Sequence, residues 1–216
     1  MKKILLIALL FLTLLFSSFT QGVLITNENV SNSTHTVFGE QGTATWCQHC
    51  PSMSYWLEQV QGDFIYVALV DDKNSYAAQR LNELGLTGFP TTFFDGGYTK
   101  VVGHQYSVDN LQNAYDQCAA RNVANVNLDI SGAWMGGGQI QVTAEVTNNE
   151  GSTYNGHVHV YVTEIVSRWD DYDGDPYKFA MLDNYGINQD VTVSPGSTET
   201  VSNTWNGPSD ITMSNI

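Results

Sequence analysis

Two hydrophobic periodicities divide the chain. Over residues 36–121, short apolar runs rich in β-branched and aromatic residues alternate with stretches whose apolar positions recur every three or four residues. "TVFGEQGTA" and "FIYVALV" read as buried strands. Between them, "CPSMSYWLEQVQG" puts Met53, Trp56, Leu57 and Val60 at helical spacing and ends at Gly62. Pro51 suits the first turn of that helix, where a missing N–H costs nothing. "SYAAQRLNELG" predicts a second helix, opened by Ser75 and closed by Gly85. "PTTFFDGGYTKVVG" predicts a hairpin turning at residues 95–97. "SVDNLQNAYDQCAAR" predicts a last helix with Val108, Leu111, Tyr115 and Cys118 on one face, which makes Cys118 a small buried hydrophobe.

After residues 122–125 the period changes to two. Val126, Leu128 and Ile130 alternate with polar residues, as do Ile140, Val142, Ala144 and Val146, and then Val158, Val160 and Val162. "MGGG", "NNEGS" and "SPGST" supply turns. Short alternating strands with no helix between them predict an antiparallel sandwich of immunoglobulin-like type. His157 and His159 fall on the face opposite the valines and read as a solvent-facing pair. "DITMSNI" resembles the start of another strand, so the sandwich is expected either to be truncated there or to lack a strand. The predicted organisation is a signal at 1–22, a polar linker at 23–35, an α/β domain at 36–122 and the sandwich at 123–216.

Lys2 and Lys3, the apolar run 4–16 and the small polar residues Ser17, Ser18 and Thr20 form an export signal. Apolar character resumes at residues 23–25, so an uncleaved anchor is the alternative to cleavage, and no other membrane contact is expected. In both cases the protein is expected outside the cytoplasm: secreted, periplasmic or on the cell surface. Asn29 and Asn32 match glycosylation acceptors, which matter only where that machinery exists. Eight Lys+Arg against 22 Asp+Glu leave a formal net charge of −14. Nucleic acids and anionic membranes select basic patches and are therefore excluded as partners.

"ATWCQHCP" carries the chemistry. Outside the cytoplasm a cysteine pair is expected to be oxidised. At the start of a helix the first sulfur, Cys47, lies near unpaired N–H groups and the positive end of the helix dipole, which favour a thiolate. Cys50, one turn in, is placed to resolve a mixed disulfide. A protonated His49 adds positive charge beside Cys47. A stabilised thiolate leaves well, so His49 tilts the pair toward an oxidant or isomerase. Zinc asks for about four ligands, and no second CxxC or Cys/His pair supplies them, so no metal is expected. A permanently closed structural disulfide is the third reading.

"ATWCQHCP", followed about 40 residues later by "TGFPTTFF", resembles the thioredoxin superfamily. The resemblance covers roughly residues 36–121 and implies a thioredoxin fold. It makes Cys47 and Cys50 the catalytic pair, with Trp46, Gln48 and His49 tuning it. Pro90 is implied to be cis beside the pair, and Phe89 to offer its backbone to an extended substrate; Gly103 matches a glycine near that surface. The whole chain is similar to secreted bacterial and archaeal proteins that join a thioredoxin fold to an immunoglobulin-like sandwich. It departs from the thioredoxin pattern at two positions. Gln41 stands where a buried acid is usual, with Glu40 one residue earlier, and Ala68 stands where a lysine is common. Both departures weaken a reductase reading.

Of the remaining features, Asp171, Asp173 and Asp175 alternate like a calcium loop. Pro176 stands where such a loop needs glycine and Leu182 where it needs glutamate, so an acidic turn is expected instead. His35 and His104 have no partner visible in the sequence. Trp134, Trp169, Tyr172 and Tyr177 read as packing residues. The chain is thus expected to be an exported thiol–disulfide oxidoreductase acting without a cofactor. Its partners would be cysteine-containing extracytoplasmic proteins and a redox partner that resets the pair. The rival is a cell-surface binding or adhesion protein in which the CxxC is a staple.

Overall fold

A computed structural model describes residues 35–216. The expected export signal, the alternative uncleaved anchor, the sequence motifs at Asn29 and Asn32 and nearly all of the expected linker lie outside the described residues. The order is β1 (Val37–Thr43), α1 (Cys50–Leu57), β2 (Phe64–Val70), α2 (Ser75–Glu83), β3 (Thr91–Phe94), β4 (Thr99–Val102) and α3 (Asp109–Ala119). Seven strands follow: β5 (Val126–Gly136), β6 (Gln139–Asn148), β7 (Tyr154–Val160), β8 (Thr163–Asp170), β9 (Pro176–Met181), β10 (Ile187–Val193) and β11 (Thr198–Asn206).

The first seven elements build an α/β layer. β1 runs parallel to β2, β3 antiparallel to β1, and β4 antiparallel to β3. Helices cover both faces. Met53 and Leu57 of α1 and Leu111, Ala114, Tyr115 and Cys118 of α3 pack with Val37, Phe94 and Val101. Ala77 and Leu81 of α2 pack on the other face with Val67, Leu69 and Phe93. Cys118 is buried and free. Helix α1 stops at Leu57 rather than reaching Gly62, although Val60 still packs on that core. Gly62 holds φ +124°, and a Cβ there would strike the Tyr115 ring, whose hydroxyl accepts the Asp63 amide.

The large sheet draws on both sides of residue 123. Its order is β4-β3-β1-β2-β9-β8, so the β8–β9 hairpin completes it beyond β2. β9 lies parallel to β2, with Ala68 opposite Ala180. Left alone, β2 would be an exposed edge of the sheet, a template for wrong pairing, and β9 covers it. Asn74 ties the two halves together. Its Oδ1 caps α2 by accepting from the amides of Tyr76 and Ala77, while its Nδ2 donates to the carbonyls of Met181 and Asp183. The helix is therefore opened by Asn74, one residue before Ser75. The outer strand β8 has its Val166 amide and carbonyl both taken by the Asn215 side chain.

The rest is all β: a three-stranded sheet, β11-β6-β5, and a two-stranded sheet, β10-β7, share one apolar core. Valines of β6, β7 and β10 meet there around Trp205, whose indole N–H donates to the Asn184 carbonyl. Two expectations fail in this half. The run "NGHVHVYVTEIV" is not one strand: it leaves the small sheet after Val160 and enters the large one at Thr163. Leu128 and Ile130, expected inside by alternation, are about half exposed. They belong to the outer strand of a three-stranded sheet, and the two facing strands are too few to cover it.

Candidate active site

The loop between β1 and α1 sets the position of the cysteines. Thr45 donates its amide to Asp72 Oδ1 at 2.9 Å and its hydroxyl to Oδ2, anchoring the loop to the end of β2. Burial works against the Asp72 charge, but the bonds from Thr45 outweigh it and hold the carboxyl below its ordinary range. The chain turns through Cys47 N–H to Ala44 O and Cys50 N–H to Cys47 O, and α1 begins. His49 occupies the N-cap in αR conformation and makes no side-chain cap bond, and Pro51 follows in the first turn.

Cys47 and Cys50 form a disulfide. Cys50 is fully buried, while Cys47 retains 5% exposure and packs with Ala44 and Phe89. The Phe89–Pro90 peptide bond is cis. Trp46, 62% exposed, sets its ring edge-on to Phe89 at 5.5 Å between centroids. The structure thus brings Trp46, Phe89 and both cysteines together. Pro90 is buried, and its carbonyl accepts the amide of Gly103, which has φ +88°. Gln48 lies at the exposed rim, with Nε2 3.2 Å from His49 Nε2.

His104 was missed from sequence. Its ring centroid is 5.3 Å from that of His49 and 4.4 Å from that of Tyr106, which is 87% exposed. Its Nδ1 lies 2.9 Å from Ser52 Oγ, and the same hydroxyl accepts the Gln105 amide. The available signal was its place directly after Gly103, a position the resemblance already put beside the cysteines. The result is a rim of His49, His104, Trp46 and Tyr106 around a sparingly exposed disulfide. Such a rim can contact a polypeptide while one sulfur meets a thiol.

Behind the cysteines, Glu40 and Gln41 point to opposite faces of β1, with no bulge between them. Gln41 faces α1 and donates to Ser54 Oγ at 2.8 Å, and its Oε1 is buried without a partner. Ala68 stands beside it in register. Glu40 faces α2, where Arg80 grips it through Nε at 2.7 Å and a second nitrogen at 3.1 Å, and the Tyr161 hydroxyl donates to it as well. Burial opposes the Arg80 charge, but the Glu40 bonds outweigh it and raise the guanidinium further. Burial, then the Glu40 charge, pushes the Tyr161 phenol far up. The acid of β1 therefore joins the two halves and does not reach the cysteines.

His157 and His159 separate in role. His157 is exposed and contacts Asn188 and Asp190, each at 2.6 Å. His159 is half-buried against Tyr185, so it is not the solvent-facing residue expected. In the acidic turn, Asp171 Oδ1 accepts the amides of Asp173 and Asp175. Among the described residues no group of three or more His, Cys, Asp or Glu side chains is arranged to hold a metal ion.

No protein-family model matches the chain, and no curated protein does. Among solved structures, a thioredoxin of Malassezia sympodialis, described as a member of a new pan-allergen family, is similar to it. The identity is 26%, over 39% of this chain and 76% of that one, with a TM-score of 0.33. The strand order of the α/β layer and its CxxC disulfide fit a thioredoxin-like domain.

Proposed function

We propose that the protein is an extracytoplasmic thiol–disulfide oxidoreductase, an oxidase or isomerase of protein disulfides. The observation that carries this reading is the asymmetry of the pair. Cys47 precedes the helix and meets the rim, whereas Cys50 is sealed inside its first turn. A substrate thiolate attacks Cys47 Sγ, forming a mixed disulfide and releasing Cys50 as thiolate. A second substrate thiolate then attacks the substrate sulfur of the mixed disulfide. The substrate leaves oxidised, and the pair keeps two electrons and is reset by a separate redox partner. Trp46, Gln48 and His49 tune the pair, and Phe89 and Pro90 seat the substrate strand. No cofactor is required, since the disulfide itself carries the electrons. The all-β half, read as an immunoglobulin-like sandwich, serves as docking module or tether.

The test is a trap. In Cys50→Ser the Cys47 thiolate attacks a disulfide of an oxidised protein substrate and no Cys50 is left to resolve the adduct, so the substrate should remain joined to Cys47, whereas Cys47→Ser should hold none. The 5% exposure of Cys47 favours the rival reading, a binding protein stapled by a fixed disulfide. Resistance of the pair to millimolar reductant, with no trapped adduct, would establish that reading instead.

A further inference from the structure

A cleft of about 640 Å³ runs along α1 on the side facing the β8–β9 hairpin. Pro51 and Ser52, the two residues after Cys50, line it, as do Tyr55, Trp56 and Glu58 further along the helix and beyond its end. The opposite wall is the turn bearing Asp171, Asp173 and Asp175, with Tyr177 and Lys178. Neither CxxC chemistry nor the sandwich accounts for this space.

Its lining is specific. Three aspartates face it, and the Asp171 carboxylate is fixed by the two amides it accepts. Lys178, the cation of the lining, is bound to Glu58 at 2.6 Å, so the acidic turn is not neutralised by it. Gln41 lines the cleft from β1 and is fully buried. Its Nε2 is committed to Ser54, which also lines the cleft, while its Oε1 has no partner. A buried acceptor without a donor is destabilising, and a ligand N–H would satisfy it. Aromatic faces beside acidic groups suit a cation as well, since a ring attracts it over its face.

We propose that this cleft receives an arginine or lysine side chain of the polypeptide whose cysteine reacts at Cys47. The inference deepens the redox reading and rests on it for the identity of the occupant. Pro51, the residue after Cys50, lines the cleft, and Ser52, which also lines it, meets His104 of the rim, so the cleft adjoins the surface around Cys47. Positive substrate segments also complement the net charge of −14.

The test uses ten-residue peptides with one cysteine activated as a thionitrobenzoate disulfide. Arginine, glutamine or glutamate is placed two to six residues away. With the full chain carrying Cys50→Ser, Cys47 attacks the peptide sulfur and releases the coloured thiol. Arginine peptides should react about tenfold faster than glutamate peptides at low salt, an advantage that shrinks as salt is added. The triple variant Asp171→Asn, Asp173→Asn, Asp175→Asn keeps the Asp171 acceptor oxygen and should bring the rates within about twofold. Equal rates in the intact turn, or a preference that survives the triple variant, would overturn the proposal.

If no peptide of any charge reacts, the redox reading fails separately. A cysteine-free arginine peptide, titrated while the Trp56 indole resonance is followed, then decides the cleft. A saturable shift lost in the triple variant upholds it, and no shift overturns it. Arginine amide binding as tightly as the peptide would assign the cleft to a small cation and overturn the polypeptide occupant.

Discussion

Asn74 is the residue on which most depends outside the site, because one side chain does two jobs. It caps α2 and holds two carbonyls of the later half. Asn74→Ala should destabilise the chain by about 2–4 kcal/mol, summing a cap near 1 and two buried bonds near 1 each. Asn74→Asp keeps the cap but sets a carboxylate oxygen against two carbonyls at a buried site, so it should cost at least as much as Asn74→Ala, as read by urea unfolding. His157 and His159 offer a pH test with opposite signs. Hydrogen bonds that the protonated ring donates to Asn188 Oδ1 and then Asp190 Oδ1 raise His157, which therefore stabilises below about pH 6.5, an effect lost as pH rises through its raised pKa. Burial, then the charges of Arg80 and His157, lowers His159. The unfolded chain takes that proton first, so His159 costs stability as pH falls below about 6.5. His159→Phe should flatten the loss of Tm between pH 6.5 and 5, whereas His157→Gln should leave that slope and abolish the gain in Tm seen as pH falls toward 6.5 from above. Equal slopes in the two variants would contradict the assignment. The cysteine pair could be read in the sequence because local spacing alone defines it. Glu40, Arg80 and Tyr161 could not, because they come from three distant segments and join only through the sheet order.

At the scale of elements, helices α1 to α3 and the first four strands follow from apolar spacing and turn residues, apart from the early end of α1. The later half follows its pattern less closely, since alternation reports which face a residue is on and not what covers that face. "NGHVHVYVTEIV" alternates without a break, yet its two parts serve different sheets. The cause is long-range: the Val162 carbonyl accepts from Leu182 and the Val160 carbonyl from Gly186, fixing the crossing in place. The alternation of β5 is likewise intact, but half of what it offers the core is uncovered. Leu128→Thr and Ile130→Thr should each stay within about 0.5 kcal/mol of the parent, as exposed positions do. Trp205→Ala, at a position 1% exposed, should cost about 3–5 kcal/mol. Comparable costs at all three positions would mean that β5 is covered in solution.

For the whole molecule, the β8–β9 hairpin turns two chain halves into one packed body. Met181 and Tyr185 sit in the same cluster as Val67, Leu69, Ala77 and Leu81, and the Tyr161–Glu40–Arg80 contact crosses the same junction. Unfolding in urea should therefore be a single transition, coincident by tryptophan fluorescence and by release of Cys118 to alkylation. Two separated transitions would show that the halves fold independently despite the shared sheet.

The central claim concerns the Cys47–Cys50 pair, and equilibration in defined glutathione buffers tests it most directly. An oxidising, exchanging pair, with His49 and the start of α1 favouring the Cys47 thiolate, should have a reduction potential between about −200 and −120 mV. A potential near −270 mV would contradict the oxidising assignment, and one below about −300 mV would make the disulfide a structural staple.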